Sequence, residues 1–64
     1  MIVVNSKDII AINLVTGQYV HAKKNSLMFV VRERNDFGMS HVIDEQGRLI
    51  AIDFAYFGYC KTIL

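Results

Sequence analysis

Residues 27–31, with the sequence LMFVV, constrain the fold of this chain more than any other stretch. Two of the five residues are β-branched and one is aromatic, a composition typical of β-strands. Because no polar residue interrupts the run, the pattern predicts a central strand that is buried on both faces and reaches water at Arg32. The other segments are therefore expected to cover this strand from both sides.

Short β-forming segments separated by turn residues fill the rest of the sequence. Tight turns are expected at Gly17 and Gly47, because glycine adopts the positive φ that a hairpin turn requires. Residues 53–57 precede Gly58 and are expected to form one short helical turn. The further segments predicted as strands are 2–4, 18–23, 39–44, 49–54 and 59–64.

Residues 8–15 fit two structures. Ser6 and Gly17 stand where the N-cap and the C-terminal stop of a helix would lie. Against a helix, the segment contains four β-branched residues and divides into two alternating sets, as a strand does. We favour the strand and keep the helix as the alternative.

Strands at intervals of about ten residues, joined by short turns, predict a mainly β fold within one small domain, residues 1–64. A flat open sheet would expose too much apolar surface, since 53% of the residues are apolar. We therefore expect a five- to six-stranded SH3-like barrel or a strongly bent antiparallel sheet, with one short helical turn near residues 53–57. No signature motif of a known family is present, so the SH3-like assignment is an analogy at the level of the fold.

Cysteine content and hydropathy limit the compartment and the means of stabilisation. Cys60 is the only cysteine, so no intrachain disulfide can form. No apolar run approaches the roughly 20 residues that span a membrane, and residues 1–4 lack the features of a signal peptide. We therefore expect a cytoplasmic protein. Because a domain of this size has a small core, we also expect a homodimer, paired through a sheet edge or through Tyr56 and Tyr59.

Residues able to carry catalysis or to bind a metal are few. His21, His41, Asp44 and Cys60 are the candidates, and no pair of them has the close spacing that metal sites usually show. The four glycines are isolated from one another, which argues against a glycine-rich phosphate loop. We predict no enzymatic activity, no metal site and no cofactor.

Four aromatic residues near the end of the chain form the first candidate interaction surface. They are Phe54, Tyr56, Phe57 and Tyr59. Alternation along a strand would place some of these rings outside a small core. Tyrosine is common at interface centres, because it combines a large apolar ring with a polar tip. The alternative is that all four rings fill one end of the fold.

The second candidate surface is basic and would bind nucleic acid. It comprises Lys23, Lys24, Arg32, Arg34, Tyr19 and Phe37. The basic residues flank a hairpin predicted between segments 18–23 and 27–31, and small barrels bind single strands through cationic rims and stacking rings. Glu33 and Asp36 dilute this charge, and a net charge of only +1 is low for a dedicated nucleic-acid-binding domain.

Together these features predict a non-enzymatic protein-interaction domain that binds a larger partner protein and can inhibit it. The small size is similar in format to accessory proteins of phages and mobile elements that act on a host protein in this way. The alternative is a small nucleic-acid-binding β-barrel. A third hypothesis is a structural subunit that assembles with itself.

Overall fold

In the computed structural model, the alternating segments of the sequence form β-strands. The structure describes residues 1–33 and 38–64, apart from the side chain of Phe54. The predictions of a strand within residues 8–15 and of a helical turn near residues 53–57 are both confirmed. The elements in chain order are β1 (Ile2–Asn5), β2 (Ile9–Asn13), β3 (Tyr19–Ala22), β4 (Leu27–Arg32), β5 (Met39–Ile43), β6 (Leu49–Asp53), α1 (Phe54–Phe57) and β7 (Cys60–Thr62).

Within residues 1–33 and 38–64, seven strands form one antiparallel sheet in the order β3-β2-β6-β5-β4-β1-β7, and this sheet does not close into a barrel. The predictions of a mainly β fold and of a bent antiparallel sheet are thus confirmed, whereas the prediction of five or six strands is wrong. The number is seven because every segment, including β7 beside β1, finds a pairing partner. β3 and β7 are the two edges.

Two short connections require the sheet to bend. Residues 6–8 connect β1 to β2, and residues 23–26 connect β3 to β4, although each pair of strands is four positions apart in the sheet. Such strands would lie roughly 19 Å apart in a flat sheet, whereas the chain from Asn5 to Ile9 reaches at most about 14 Å. The sheet therefore curls until its two ends approach each other.

The hydrophobic core lies inside this curl. Strands β1 to β6 each contribute at least one buried apolar side chain to it. Val20, Phe57 and Cys60 are only partly buried and pack against this core from β3, α1 and β7. The core is therefore only partly covered at the two edge strands, β3 and β7, and at α1.

β4 has one buried and one exposed face, so the prediction that this strand is buried on both faces is wrong. Met28 and Val30 are 1% and 8% exposed, whereas Leu27, Phe29 and Val31 are 46%, 52% and 54% exposed. An antiparallel sheet needs only one covered face. Among the described residues the one helix is α1, whose four residues are too few to cover the outer face.

Asn5 fastens the two ends of the curled sheet together. Its fully buried side chain donates hydrogen bonds from Nδ2 to the carbonyl oxygens of Lys7, Ala22 and Lys23, at 2.8, 3.1 and 2.8 Å. Its Oδ1 accepts one from the backbone N–H of Ser26 at 2.8 Å. A single amide on β1 thus holds the end of β3 and the connection that leads into β4.

Candidate functional site

The predicted aromatic surface is divided by the structure. Tyr56 on α1 and Tyr59 before β7 are 43% and 40% exposed, whereas Phe57 packs against the core. The Nζ of Lys7 lies 4.4 Å from the centre of the Tyr59 ring, in a cation–π contact. The carbonyl oxygen of Tyr59 accepts hydrogen bonds from the backbone N–H and the Oγ of Ser6, both at 2.9 Å. Tyr59 is therefore held against the residues that follow β1. Tyr56 makes none of these contacts and lies on a different part of the surface.

Tyr56 borders an apolar pocket of about 260 Å³ on the outer face of the sheet. Strand register brings the lining together, because Ile12 pairs with Tyr19 on β3 and with Ala51 on β6. Tyr19, which is 74% exposed, supplies the second aromatic ring. Among the described residues, the lining comprises Ile10, Ala11, Ile12, Tyr19, Met39, Ala51, Asp53 and Tyr56. The structure thus brings together one residue of the predicted aromatic surface and one of the predicted nucleic-acid surface.

Asp53 is the one charged side chain among the described residues of this lining. It pairs with Met39 across β5 and β6, and its Oδ1 accepts a hydrogen bond from the Ala55 backbone N–H at 2.9 Å, which caps the start of α1. A carboxylate can accept several hydrogen bonds. Asp53 can therefore both hold α1 in place and accept a hydrogen bond from a group bound in the pocket.

The predicted basic surface is not gathered at one end of a hairpin, because β3 and β4 are not paired. Lys23 and Lys24 are exposed in the connection before β4, and Arg32 is exposed at the opposite end of that strand, about 17 Å away along it. Lys23 also shares a cleft of about 270 Å³ with two acidic residues, Asp44 and Glu45. Arg34 and Phe37 lie outside the described residues.

The candidate metal ligands do not form a metal site in the part of the chain that the structure describes. Within residues 1–33 and 38–64, no three side chains of His, Cys, Asp or Glu are placed to hold a metal ion. Burial raises the pKa of the Cys60 thiol, which keeps it in the protonated and weakly nucleophilic form. In the same residues no helix is long and apolar enough to cross a membrane.

Sequence reasoning missed Ile10, Met39 and Ala51 as site residues. A signal was present, because both alternating sets of residues 9–12 are apolar. When a strand of a one-sheet fold has two apolar faces, one of them must remain outside the core. The pattern of residues 9–12 therefore predicts an exposed apolar surface on the outer face of β2.

Comparisons of the chain with protein families, with curated proteins and with solved structures find no match. A function for the chain must therefore be argued from its own geometry. One feature of that geometry suited to binding is the apolar pocket between the exposed rings of Tyr19 and Tyr56.

Proposed function

We propose that this chain is a non-enzymatic, cytoplasmic protein-interaction domain that binds a larger partner protein through the pocket between Tyr19 and Tyr56. The observation that carries the proposal is a concave apolar site of about 260 Å³ flanked by two exposed tyrosine rings. Buried aromatic anchors that fill such pockets dominate the binding energy of protein interfaces. Occupying a surface of the partner in this way is also a means of inhibiting it.

The ligand that fits the pocket is one apolar side chain of the partner. An apolar cavity of about 150 Å³ already holds a benzene molecule, so this pocket admits a phenylalanine, leucine or methionine side chain. The Asp53 carboxylate lies at the same site and can accept a backbone N–H of the partner. The combination favours an apolar residue within an otherwise polar peptide surface.

Affinity capture from extracts of the native host, followed by mass spectrometry, tests this proposal with three baits. The wild type and Tyr59→Ser should capture the same protein, and Tyr56→Ser should lose it. Tyr59→Ser is the matched control, because both tyrosines are exposed to a similar degree and only Tyr56 lines the pocket. Circular dichroism of each bait checks that it is folded. Equal capture by all three baits would contradict the assignment to the pocket.

Nucleic-acid binding is the alternative function, and the exposed ring of Tyr19 together with Lys23 and Lys24 favours it. The carboxylates of Asp53 in the pocket and of Asp44 beside Lys23 disfavour a bound phosphate backbone. Fluorescence anisotropy with single-stranded and duplex oligonucleotides at low salt distinguishes the two functions. Binding that weakens steeply with added salt would support nucleic acid as the ligand, and absence of binding at tens of micromolar would remove it.

The SH3-like assignment and the accessory-protein format belong to the same proposal. The bent sheet and the position of α1 just before the last strand support an SH3-like relationship. The open, seven-stranded arrangement is the feature that departs from it. A small binding domain of this kind suits an accessory protein that acts by attaching to a larger host protein.

A further inference from the structure

A second apolar surface lies on the outer face of the opposite half of the sheet, across β7, β1, β4 and β5. Strand register arranges its side chains in two rows that run across the strands. The first row, from the β7 side to the β5 side, is Ile63, Ile2, Phe29 and Ile43. The second row, two residues along β7, β1 and β4, is Lys61, Val4 and Leu27, and it ends at Glu45, which lies in the turn after β5 and accepts a hydrogen bond from Leu27. We call these eight residues the β1–β4 face.

The β1–β4 face is apolar except for one positive and one negative charge at opposite ends of the same row. Glu45 is held at its end because its Oε1 accepts a hydrogen bond from the Leu27 backbone N–H at 2.6 Å. Lys61 is exposed at the other end and has no ion-pair partner within residues 1–33 and 38–64. The row therefore reads positive, apolar, apolar, negative from β7 to β5.

Such a row is complementary to itself under a twofold rotation. Suppose that the axis runs parallel to the strands and lies above the face, between β1 and β4. The rotation then places β1 of the second copy over β4 of the first, and β7 over β5. Val4 then faces Leu27 of a second copy, Ile2 faces Phe29, and Lys61 faces Glu45. Each contact of one residue with another is repeated in the reverse sense, as a closed isologous interface requires. Because the sheet curls away from the axis on both sides, the closest contacts are those between β1 and β4.

We propose that two copies of this chain form a dimer by packing their β1–β4 faces against each other around this axis. The available apolar area is below that of a standard interface, which favours a weak dimer. Phe29, Leu27, Ile43 and Ile63 are 52%, 46%, 38% and 51% exposed, and with Ile2 and Val4 they offer on the order of 400 Å² of apolar surface. A standard interface buries about 800 Å² per partner, of which roughly 500 Å² is apolar in homodimers.

This dimer goes beyond the proposed function, because it uses a different part of the sheet. The pocket between Tyr19 and Tyr56 is built on β2, β3, β5, β6 and α1, and none of its lining residues belongs to the β1–β4 face. A dimer would therefore carry two such pockets. It would bind a repetitive or dimeric partner more tightly than a monomer does, through the higher effective concentration of the second site.

Sedimentation velocity on charge-reversal variants tests the dimer. Lys61→Glu alone places two carboxylates together, and Glu45→Lys alone places two ammonium groups together, so each should weaken the dimer by about tenfold or more. The double variant Lys61→Glu/Glu45→Lys restores opposite charges across the axis and should recover dimerisation to near the wild-type level. Phe29→Ser should abolish it, whereas Val15→Ser, exposed outside the face, should leave it unchanged.

A wild-type chain that stays monomeric throughout its soluble range would overturn the inference. So would a dimer that survives Phe29→Ser, or single charge reversals that the double variant fails to rescue, because the contact would then lie at a sheet edge or at Tyr56 and Tyr59. Circular dichroism identifies any variant that fails to fold. Capture of a partner through the pocket is a separate measurement with the Tyr56→Ser bait, so the two proposals can fail independently.

Discussion

Among variants with one polar side chain replaced that still fold, we expect Asn5→Ala to lower the free energy of unfolding the most. The buried amide contacts the carbonyl oxygens of Lys7, Ala22 and Lys23 and the N–H of Ser26. Ala22 ends β3, and the other three residues lie in connections that must bend sharply, because these connections cross between distant positions of the sheet. Alanine offers no donor or acceptor in their place.

The magnitude follows from the hydrogen bonds that are lost. Nδ2 has two hydrogens, so its three contacts count as about two full bonds, and the contact of Oδ1 with Ser26 adds one more. At about 1 kcal/mol net for each bond, Asn5→Ala should lower the free energy of unfolding by about 3 kcal/mol. The total for a domain of this length is about 3–10 kcal/mol. The melting temperature should therefore fall by roughly 12–24 °C.

Urea and thermal unfolding followed by circular dichroism measure this loss, with Asn13→Ala as the matched control. Asn13 also accepts hydrogen bonds through its Oδ1, from the N–H groups of Val15 and Thr16 at 2.8 and 3.1 Å, but in an exposed turn. Water can replace those bonds, so the control should lose about 1 kcal/mol or less. If Asn5→Ala cost no more than Asn13→Ala, the assignment of Asn5 as the fastening of the curled sheet would be refuted.

Three further outcomes are expected. Burial would raise the pKa of Asp44, but hydrogen bonds from Arg48 and Gln46 outweigh it and hold that pKa below its ordinary value of 3.8. The stability that Asp44 contributes is therefore present above that value and is lost as the pH falls through the lowered pKa. In urea unfolding below about pH 4, the free energy of unfolding of Asp44→Asn should therefore depend less on pH than that of the wild type. Gly47→Ala should lower the free energy of unfolding by about 1 kcal/mol in the same assay, because Gly47 has a φ of +79°, which a residue with a Cβ adopts only with strain. No atom lies near the Cβ position of Gly47, so this loss reflects the backbone alone. Gly58→Ala is the control and should change stability little, because the φ of Gly58 is not positive. The Cys60 thiol should react more slowly with a disulfide reagent at neutral pH in the native protein than in urea, since its pKa is raised by burial; equal rates would contradict this.

The turns, strands and short helix whose formation depends on residues close together in the sequence were predictable. The turn at Gly17 was expected from its tolerance of positive φ, and the structure gives it a φ of 76°. The short helix before Gly58 and the strand within residues 8–15 were likewise found where the local pattern indicates them. The role of Asn5 as a buried fastening was not visible in the sequence, because its partners Ala22 and Lys23 are distant from it along the chain.

The candidate sites were only partly predictable, because they depend on which strands are paired. Tyr56 was expected at an interaction surface, yet its neighbours in the pocket come from β2, β3, β5 and β6 and meet only through register. The same holds for the β1–β4 face, whose rows join Phe29 to Ile2 and Ile43 across the sheet. A predicted hairpin between β3 and β4 placed the basic residues together, and the observed strand order separates them.

By itself, the sequence determined where the strands and turns lie, since alternation, β-branching and glycine act over a few residues. Only the tertiary structure decided which face of each strand was buried. In β4 both alternating sets are apolar, so either could have faced the core. The pairing of β4 with β1 and β5 within the curled sheet turned Met28 and Val30 inward and left Leu27 and Phe29 outside. A single curled sheet buries only the inner face of its strands. Where the outer face of a strand is also apolar, that face therefore stays exposed and available for binding.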